Sequence, residues 1–288
     1  MGKVFDALQR AEEERARRTG EATASARGSL AEPTPAHGPR PAAGRGATRS
    51  RSRWRRLLSF RGTRIAEDAG ALNKRRIALL QPQSLVAEQF RTLRGRIDSL
   101  TAAHPVRSIA VTSANSGDGK TMAAVNLALV MSMGVGRKVA LIDCDLRRPR
   151  VHESLGLRVD AGLAEVLRGT AELDEALLPL EGTALQVLPV RSLPQNPSEL
   201  LASGRMRELI EKLGTRFDRL VLDVPPTLGL PDAKIVCDLC DAILFVVRAH
   251  ATPREDADAA LDILDRTRVL GVVLNEANAD AARYGYAD

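Results

Sequence analysis

The chain has 288 residues, 44% of them hydrophobic and 27% charged, with a formal net charge of +6. That length fits one large domain plus a tail and leaves ample apolar material for a core. Residues 1–76 carry 18 Lys+Arg against 8 Asp+Glu, while residues 77–288 carry 24 against 28. The basic character therefore belongs to the N-terminal segment, which excludes a nucleic-acid-binding body.

Residues 1–18 read as a short helix with Val4, Phe5, Leu8 and Ala11 at helical spacing. It is either a docking stripe or a solvated helix. Residues 19–76 have linker composition, rich in Arg, Pro, Ala and Gly, and disorder is expected there. Within them, residues 49–64 hold seven Arg around Trp54, Leu57, Leu58 and Phe60. That mixture suits an anionic membrane surface, nucleic acid or simple solvation.

From residue 77 to 275 the pattern is that of a folded domain. Glu88-x-x-Arg91-x-x-Arg94 places three charges on one helix face. Apolar runs at 107–113, 138–143, 185–190, 218–223, 242–248 and 269–275 are continuous rather than alternating, as in strands buried on both faces of a parallel sheet. The segments between them are long enough for crossover helices, so an α/β doubly wound fold is expected.

The first run leads into Ser113-Ala-Asn-Ser-Gly-Asp-Gly-Lys-Thr121 and then a helix, the setting of a P-loop. Gly117 and Gly119 let successive N–H groups turn into one hollow. The span Ser116, Gly117, Asp118, Gly119, Lys120, Thr121 and Met122 is the predicted phosphate cradle. Lys120 faces the phosphates and the Thr121 hydroxyl suits Mg²⁺. Ala114 stands where the strict pattern has Gly, which works if its φ is negative.

Asp143 and Asp145 end the second run and face the same way as residues i and i+2 of a strand. Asp223 ends another run before Val-Pro-Pro226. Carboxylates at the carboxyl ends of parallel strands line the binding crevice, and beside a polyphosphate they call for Mg²⁺. Arg147 is expected to touch phosphate; Arg148 and Arg150 read as a basic turn. Asn275 is either an adenine contact or a strand-end turn residue. Asn196-Pro-Ser-Glu199 has a local explanation as N-cap, N1 and N3 of a helix. The three cysteines, with a single CxxC at Cys237 and Cys240, are read as buried thiols. No apolar run approaches the roughly 18 residues of a membrane span, and no signal-peptide pattern opens the chain.

The deviant P-loop, Asp143-x-Asp145-x-Arg147 and Asp223-x-x-Pro226 together resemble the bacterial tyrosine kinases of capsule and exopolysaccharide synthesis. The segments LIDCDLRRPRVHESLGL, AGLAEVLRG, QNPSELLASGRMRELI, GVVLN and MGKVFDALQRAE are similar to that family too. The resemblance implies a MinD-like P-loop fold and an ATP- and Mg²⁺-dependent tyrosine autokinase. It assigns Lys120 and Thr121 to phosphates and Mg²⁺, Asp143 to the tyrosyl proton, and Asp145 and Asp223 to the metal. It makes Glu88, Arg91 and Arg94 an oligomer interface, in a homo-oligomer that forms a ring.

The chain has two tyrosines, Tyr284 and Tyr286, both in a 276–288 tail. They are the expected autophosphorylation sites. A separate membrane polysaccharide-copolymerase activator and a cognate tyrosine phosphatase are the implied partners, with the protein cytoplasmic and recruited to the inner face of the membrane. The alternative is a MinD/ParA-like regulatory or positioning ATPase without kinase activity. Those ATPases carry a signature Lys where this chain has Asn115.

Overall fold

The computed structural model describes residues 81–102, 105–134 and 136–277. The expected N-terminal helix, the linker with its Arg-rich stretch, and the tail with Tyr284 and Tyr286 lie outside the described residues.

Helix α1 (Leu85–Leu100) starts at Ser84, whose hydroxyl accepts from the Ala87 N–H. It buries Ala87, Phe90 and Ile97 along one stripe. Strand β1 (Ser108–Ser113) is buried throughout and runs through the loop into α2 (Lys120–Ser132). Helix α2 is almost entirely enclosed, which its run of Ala, Val, Leu and Met permits. Strand β2 (Val139–Asp143) follows, then the short helices α3 (Val151–Leu155), α4 (Leu163–Arg168) and α5 (Leu173–Ala176).

A two-residue strand β3 (Leu178–Pro179) pairs antiparallel with β4 (Leu185–Leu188). The chain continues through α6 (Pro197–Leu201), α7 (Gly204–Arg216), β5 (Arg219–Asp223), α8 (Asp232–Cys237), β6 (Ala242–Arg248), α9 (Arg254–Ile263) and β7 (Val269–Asn275).

The strands form one sheet in the order β3-β4-β2-β5-β1-β6-β7. Every pairing is parallel except β3 with β4. Alternate residues serve opposite faces. Ile109, Val111, Leu141, Val221 and Leu244 pack with α1, α2 and α3 on one side. Ala110, Ile142, Leu188, Leu222 and Phe245 pack against α4 and α6 to α9 on the other.

The expected doubly wound parallel sheet is therefore present. Two details differ. The two-residue β3 carries too few residues for a periodic signal. Strand β7 is not buried on both faces: it is the sheet edge, with Val272 and Leu274 exposed. A continuous apolar run says nothing of whether a neighbouring strand covers it. Cys144, Cys237 and Cys240 are free and buried, as expected. Burial pushes the Cys237 thiol up to about 12. Among the described residues no helix is long and apolar enough to cross a membrane.

Candidate active site

Parallel strands bring their carboxyl ends to one rim, and β1, β2 and β5 are neighbours at the centre. Two catalytic candidates are placed there by register alone. Asp143 is the Cα partner of Asp223 across β2 and β5, and Val111 of β1 is the partner of Asp223 on its other side. The loop after β1 then folds over this acidic pair.

That loop has the conformation its glycines allow. Gly117 and Gly119 have φ of 95° and 99°, the left-handed region open to glycine. Ala114 needs no such freedom: His250 and Glu276 are the non-glycine residues with positive φ among the described residues. Asn275 lies directly over Gly119, where an added Cβ would collide with its Nδ2. Its Nδ2 donates to the Asp118 carbonyl at 2.9 Å. The strand-end residue is thus a brace on the loop, a role that neither sequence reading gave it.

Two further braces hold the loop. The buried Asp118 carboxylate accepts from Asn115 N at 2.8 Å and from Thr252 Oγ1 at 2.7 Å. Asn115 Nδ2 donates to Asp256 Oδ2 at 2.7 Å. Asn115, in the position of the signature Lys of positioning ATPases, is held within its own chain. No local pattern marks Thr252, in the β6–α9 connection, or Asp256, in the first turn of α9, both far along the chain.

Below the loop sits a buried charge cluster. Lys120 Nζ is 2.9 Å from Asp145 Oδ2 and 3.5 Å from Asp223 Oδ1. The Thr121 hydroxyl donates to Asp223 Oδ2 at 2.6 Å. Burial opposes the Lys120 charge, but Asp223 and Asp145 outweigh it and raise its pKa. Asp143 is raised well above the usual carboxylate range, by burial first and then by the charge of Asp223. Asp223 is raised by burial, against the pull of Lys120 and the Thr121 hydrogen bond. One ammonium thus stands among three carboxylates.

Asp223 Oδ1 is buried without a hydrogen-bond partner. A buried carboxylate oxygen with only the shared Lys120 ammonium at 3.5 Å, beside a second acid and a threonine hydroxyl, is the donor set that a hard divalent cation takes. Mg²⁺ therefore fits at Asp145, Asp223 and Thr121.

Asp143 is placed differently from the expectation of a base presented to substrate. It is fully buried, with Oδ1 accepting from Asp145 N and Oδ2 from Arg150 N and Val151 N, each at 3.1 Å. Arg148 N donates to Asp145 Oδ1 at 2.9 Å. The two acids fold the 143–151 loop around themselves.

Arg147, expected to touch phosphate, is engaged by partners within its own chain. Its Nε donates to Asp232 Oδ2 at 2.7 Å and its Nη2 to Ser198 Oγ at 3.1 Å. Asn196 occupies the N-cap of α6, yet its side chain makes no cap bond and donates to Glu199 Oε2 instead. On α1, Glu88 pairs with Arg91 at 2.6 Å, while Arg94 Nη1 donates to the Val130 carbonyl at 2.7 Å. Glu88 is exposed; Arg94 ties α1 to α2 inside the chain.

A family model described as ParA, NUBPL iron-transfer P-loop NTPase, matches residues 105–284. The chain is similar to tyrosine-protein kinase YwqD of Bacillus subtilis, 34% identical over 233 residues, which are 80% of this chain and 95% of YwqD. The chain belongs to the bacterial tyrosine-kinase family of P-loop NTPases. It is also 34% identical over 206 residues to the succinoglycan biosynthesis transport protein ExoP of Rhizobium meliloti, spanning 70% of this chain and 26% of ExoP. Among solved structures, the kinase domain of Escherichia coli tyrosine kinase ETK superposes with a TM-score of 0.66 at 28% identity. That match covers 70% of this chain and 82% of the domain.

Proposed function

We propose that this protein is an ATP-dependent tyrosine autokinase that phosphorylates Tyr284 and Tyr286 and thereby regulates capsule or exopolysaccharide synthesis and export. The observation that carries the reading is the buried cluster of Lys120, Asp145 and Asp223 under the P-loop, with Asp223 Oδ1 left over for a metal. The YwqD likeness supplies the reaction type, and ExoP the polysaccharide context.

Each residue has a part. The backbone N–H groups of Ser116 to Met122 bind the phosphates, with the N-terminus of α2 adding its partial charge. Asp145, Asp223 and the Thr121 hydroxyl hold Mg²⁺, which when bound supplies charge neutralisation on the phosphate oxygens. Lys120 turns from its two carboxylates to the phosphates. Asp143, with its raised pKa, accepts the tyrosyl proton; Arg150 and Val151 release its Oδ2 as the tyrosine enters. A free tyrosine, with a pKa near 10, is mostly protonated at neutral pH, so a carboxylate acceptor helps it attack. Asn275 braces the loop while transfer occurs.

Tyr284 is nine residues beyond Asn275. An extended chain of that length spans roughly 30 Å, so its own active site and that of a neighbouring copy are both within reach. Glu88 and Arg91 form the contact to that neighbour in a ring. A membrane polysaccharide-copolymerase is the activating partner, and a tyrosine phosphatase resets the tail.

The test is phosphopeptide mapping after incubating the full chain with Mg-ATP and membranes carrying the copolymerase. Phosphotyrosine should appear only in the C-terminal peptide and vanish in the Tyr284→Phe, Tyr286→Phe double variant. ATP hydrolysis with no phosphotyrosine would overturn the kinase reading and leave a regulatory or positioning ATPase of the same P-loop fold.

A further inference from the structure

We propose that Asp232 and Ser198 are positioning residues for this phosphoryl transfer, acting through Arg147 on the loop that carries Asp143 and Asp145. The proposal rests on the kinase reading above and assigns work to residues that touch neither nucleotide nor tyrosine.

The Asp143–Val151 loop is shaped from within, because the N–H groups of Asp145, Arg148, Arg150 and Val151 are bound to the two acids. Those bonds fix its curl but not its stance relative to the P-loop. Besides Cys144 N, which donates to the Asp223 carbonyl at 2.8 Å, and the Asp145–Lys120 pair, the outward anchor is Arg147. Its guanidinium meets Asp232 through Nε at 2.7 Å and Nη2 at 3.5 Å, and meets Ser198 through Nη2 at 3.1 Å. The Ser198 hydroxyl in turn donates to Asp232 Oδ1. The three side chains close a ring of hydrogen bonds in which both oxygens of Asp232 are used.

Burial in the ring is lopsided. The Asp232 side chain is 1% exposed and that of Arg147 is 37% exposed. A pair with one end open to water contributes little net stability. A planar fork on a buried carboxylate fixes direction well. The arrangement is better suited to aiming a loop than to holding a fold together.

Asp232 is itself tied to the P-loop. The segment from Asp223 to Asp232 runs along β1, with Val224 N donating to Val111 O at 3.0 Å, Thr227 N to Ser113 O at 2.8 Å and Leu228 N to Ala114 O at 3.3 Å. A circuit results: P-loop start, 224–231 segment, Asp232, Arg147, Asp145, Lys120 and back to the P-loop. The loops after β1, β2 and β5 are thereby locked in one relative placement. Breaking the Arg147–Asp232 link frees the Asp145 side of the metal site while leaving the phosphate cradle intact.

The test uses the full chain and the near-isosteric Asp232→Asn, with Ser198→Ala and Arg147→Lys as companions. Mg²⁺ alone is titrated by calorimetry, and kcat and KM for ATP are measured by tail phosphorylation. In Asp232→Asn, Mg²⁺ affinity and kcat should each fall about 10-fold, the scale of losses when an outer partner of a metal ligand is removed. KM for ATP should stay within about twofold, because the cradle is untouched. Arg147→Lys, which keeps charge but loses the fork, should match Asp232→Asn, and the double variant should lose no more than either single one.

Additive losses, or a lowered Tm with unchanged Mg²⁺ affinity and kcat, would overturn the proposal and leave Asp232 merely structural. The Mg²⁺ titration needs no tyrosine transfer, so it separates failure of this proposal from failure of the kinase reading.

Discussion

The two rims of the sheet hold similar residues in opposite electrostatic condition. At the amino-terminal rim, Asp241 Oδ2 accepts from Arg107 N, Ser108 N and Ser108 Oγ at 2.8, 2.8 and 2.9 Å. Asp98 receives Arg137 Nη1 at 3.0 and 2.8 Å and lies 3.6 Å from Arg219. Asp218 Oδ2 accepts from Lys138 N. Each acid there is near solvent and has a donor or a cation of its own.

At the carboxyl rim, Asp143, Asp145 and Asp223 are buried around one Lys120, and Asp223 Oδ1 has only that shared ammonium, 3.5 Å away. Burying several carboxylates around a single ammonium is costly. A fold keeps such an arrangement where a ligand completes it, so the contrast between rims separates acids that hold the fold from the acids proposed above to take a cation.

The most severe way to break the contrast is Lys120→Met. It leaves Asp145 and Asp223 buried without their cation, and removing one partner of a buried pair costs about 3–5 kcal/mol. Phosphotyrosine formation should stop. Unfolding in denaturant should show the full loss in a chelator and a partial return of stability in millimolar Mg²⁺. An equal loss in both conditions would mean that the cluster is no metal site.

A pH series sharpens the same point with a smaller effect. Asp143 and Asp223 have raised pKa values in the folded state. Between the ordinary carboxylate value and the raised one, the folded chain binds more protons than the unfolded chain. Stability is therefore highest at acid pH from these two groups and falls as pH rises through that window. Lys120 acts in the same direction but only at high pH, since its raised pKa favours the fold until alkaline pH removes its proton. Thermal unfolding of the metal-free protein should show the decline, and Mg²⁺ should flatten it.

The opposite rim gives a milder prediction. Asp241→Ala removes three hydrogen bonds at an exposed site, a loss of about 1–2 kcal/mol. Unfolding should show that loss unchanged by Mg²⁺. A Mg²⁺-dependent loss would erase the distinction between the rims.

Much of the carboxyl rim was legible in the chain. Lys120 and Thr121 follow Gly119 in a spaced motif, and Asp143, Asp145 and Asp223 close apolar runs, so periodicity places them at strand ends. What the sequence did not reveal is which partner each side chain meets. Arg147 looks like a phosphate ligand because it follows two acids; its match, Asp232, is 85 positions away and is brought close only by the β5–α8 turn. Ser198 looks like an ordinary first-turn residue, and Thr252 like a turn residue, because their contacts are tertiary. Strand β7 reads as interior because an apolar run carries no mark of being last in a sheet.

The mildest prediction concerns the edge where these tertiary contacts meet the loop. Asn275→Ala deletes one hydrogen bond to the Asp118 carbonyl and opens the space over Gly119. The loop's φ angles are set by Gly117 and Gly119 and do not depend on Asn275. The cradle should persist with one brace fewer, since Thr252 and Asn115 still hold Asp118. A single such bond is worth about 1 kcal/mol, so the affinity for Mg-ATP should fall about fivefold with the Mg²⁺ dependence of stability unchanged. Gly119→Ala is the sharper probe of the same contact. Its Cβ meets Asn275 Nδ2, and its φ of 99° is unfavourable for any side chain. Pairing it with Asn275→Ala relieves the collision but not the φ. Partial recovery of nucleotide affinity in the double variant is therefore expected by calorimetry, and full recovery would show that backbone strain contributes nothing there.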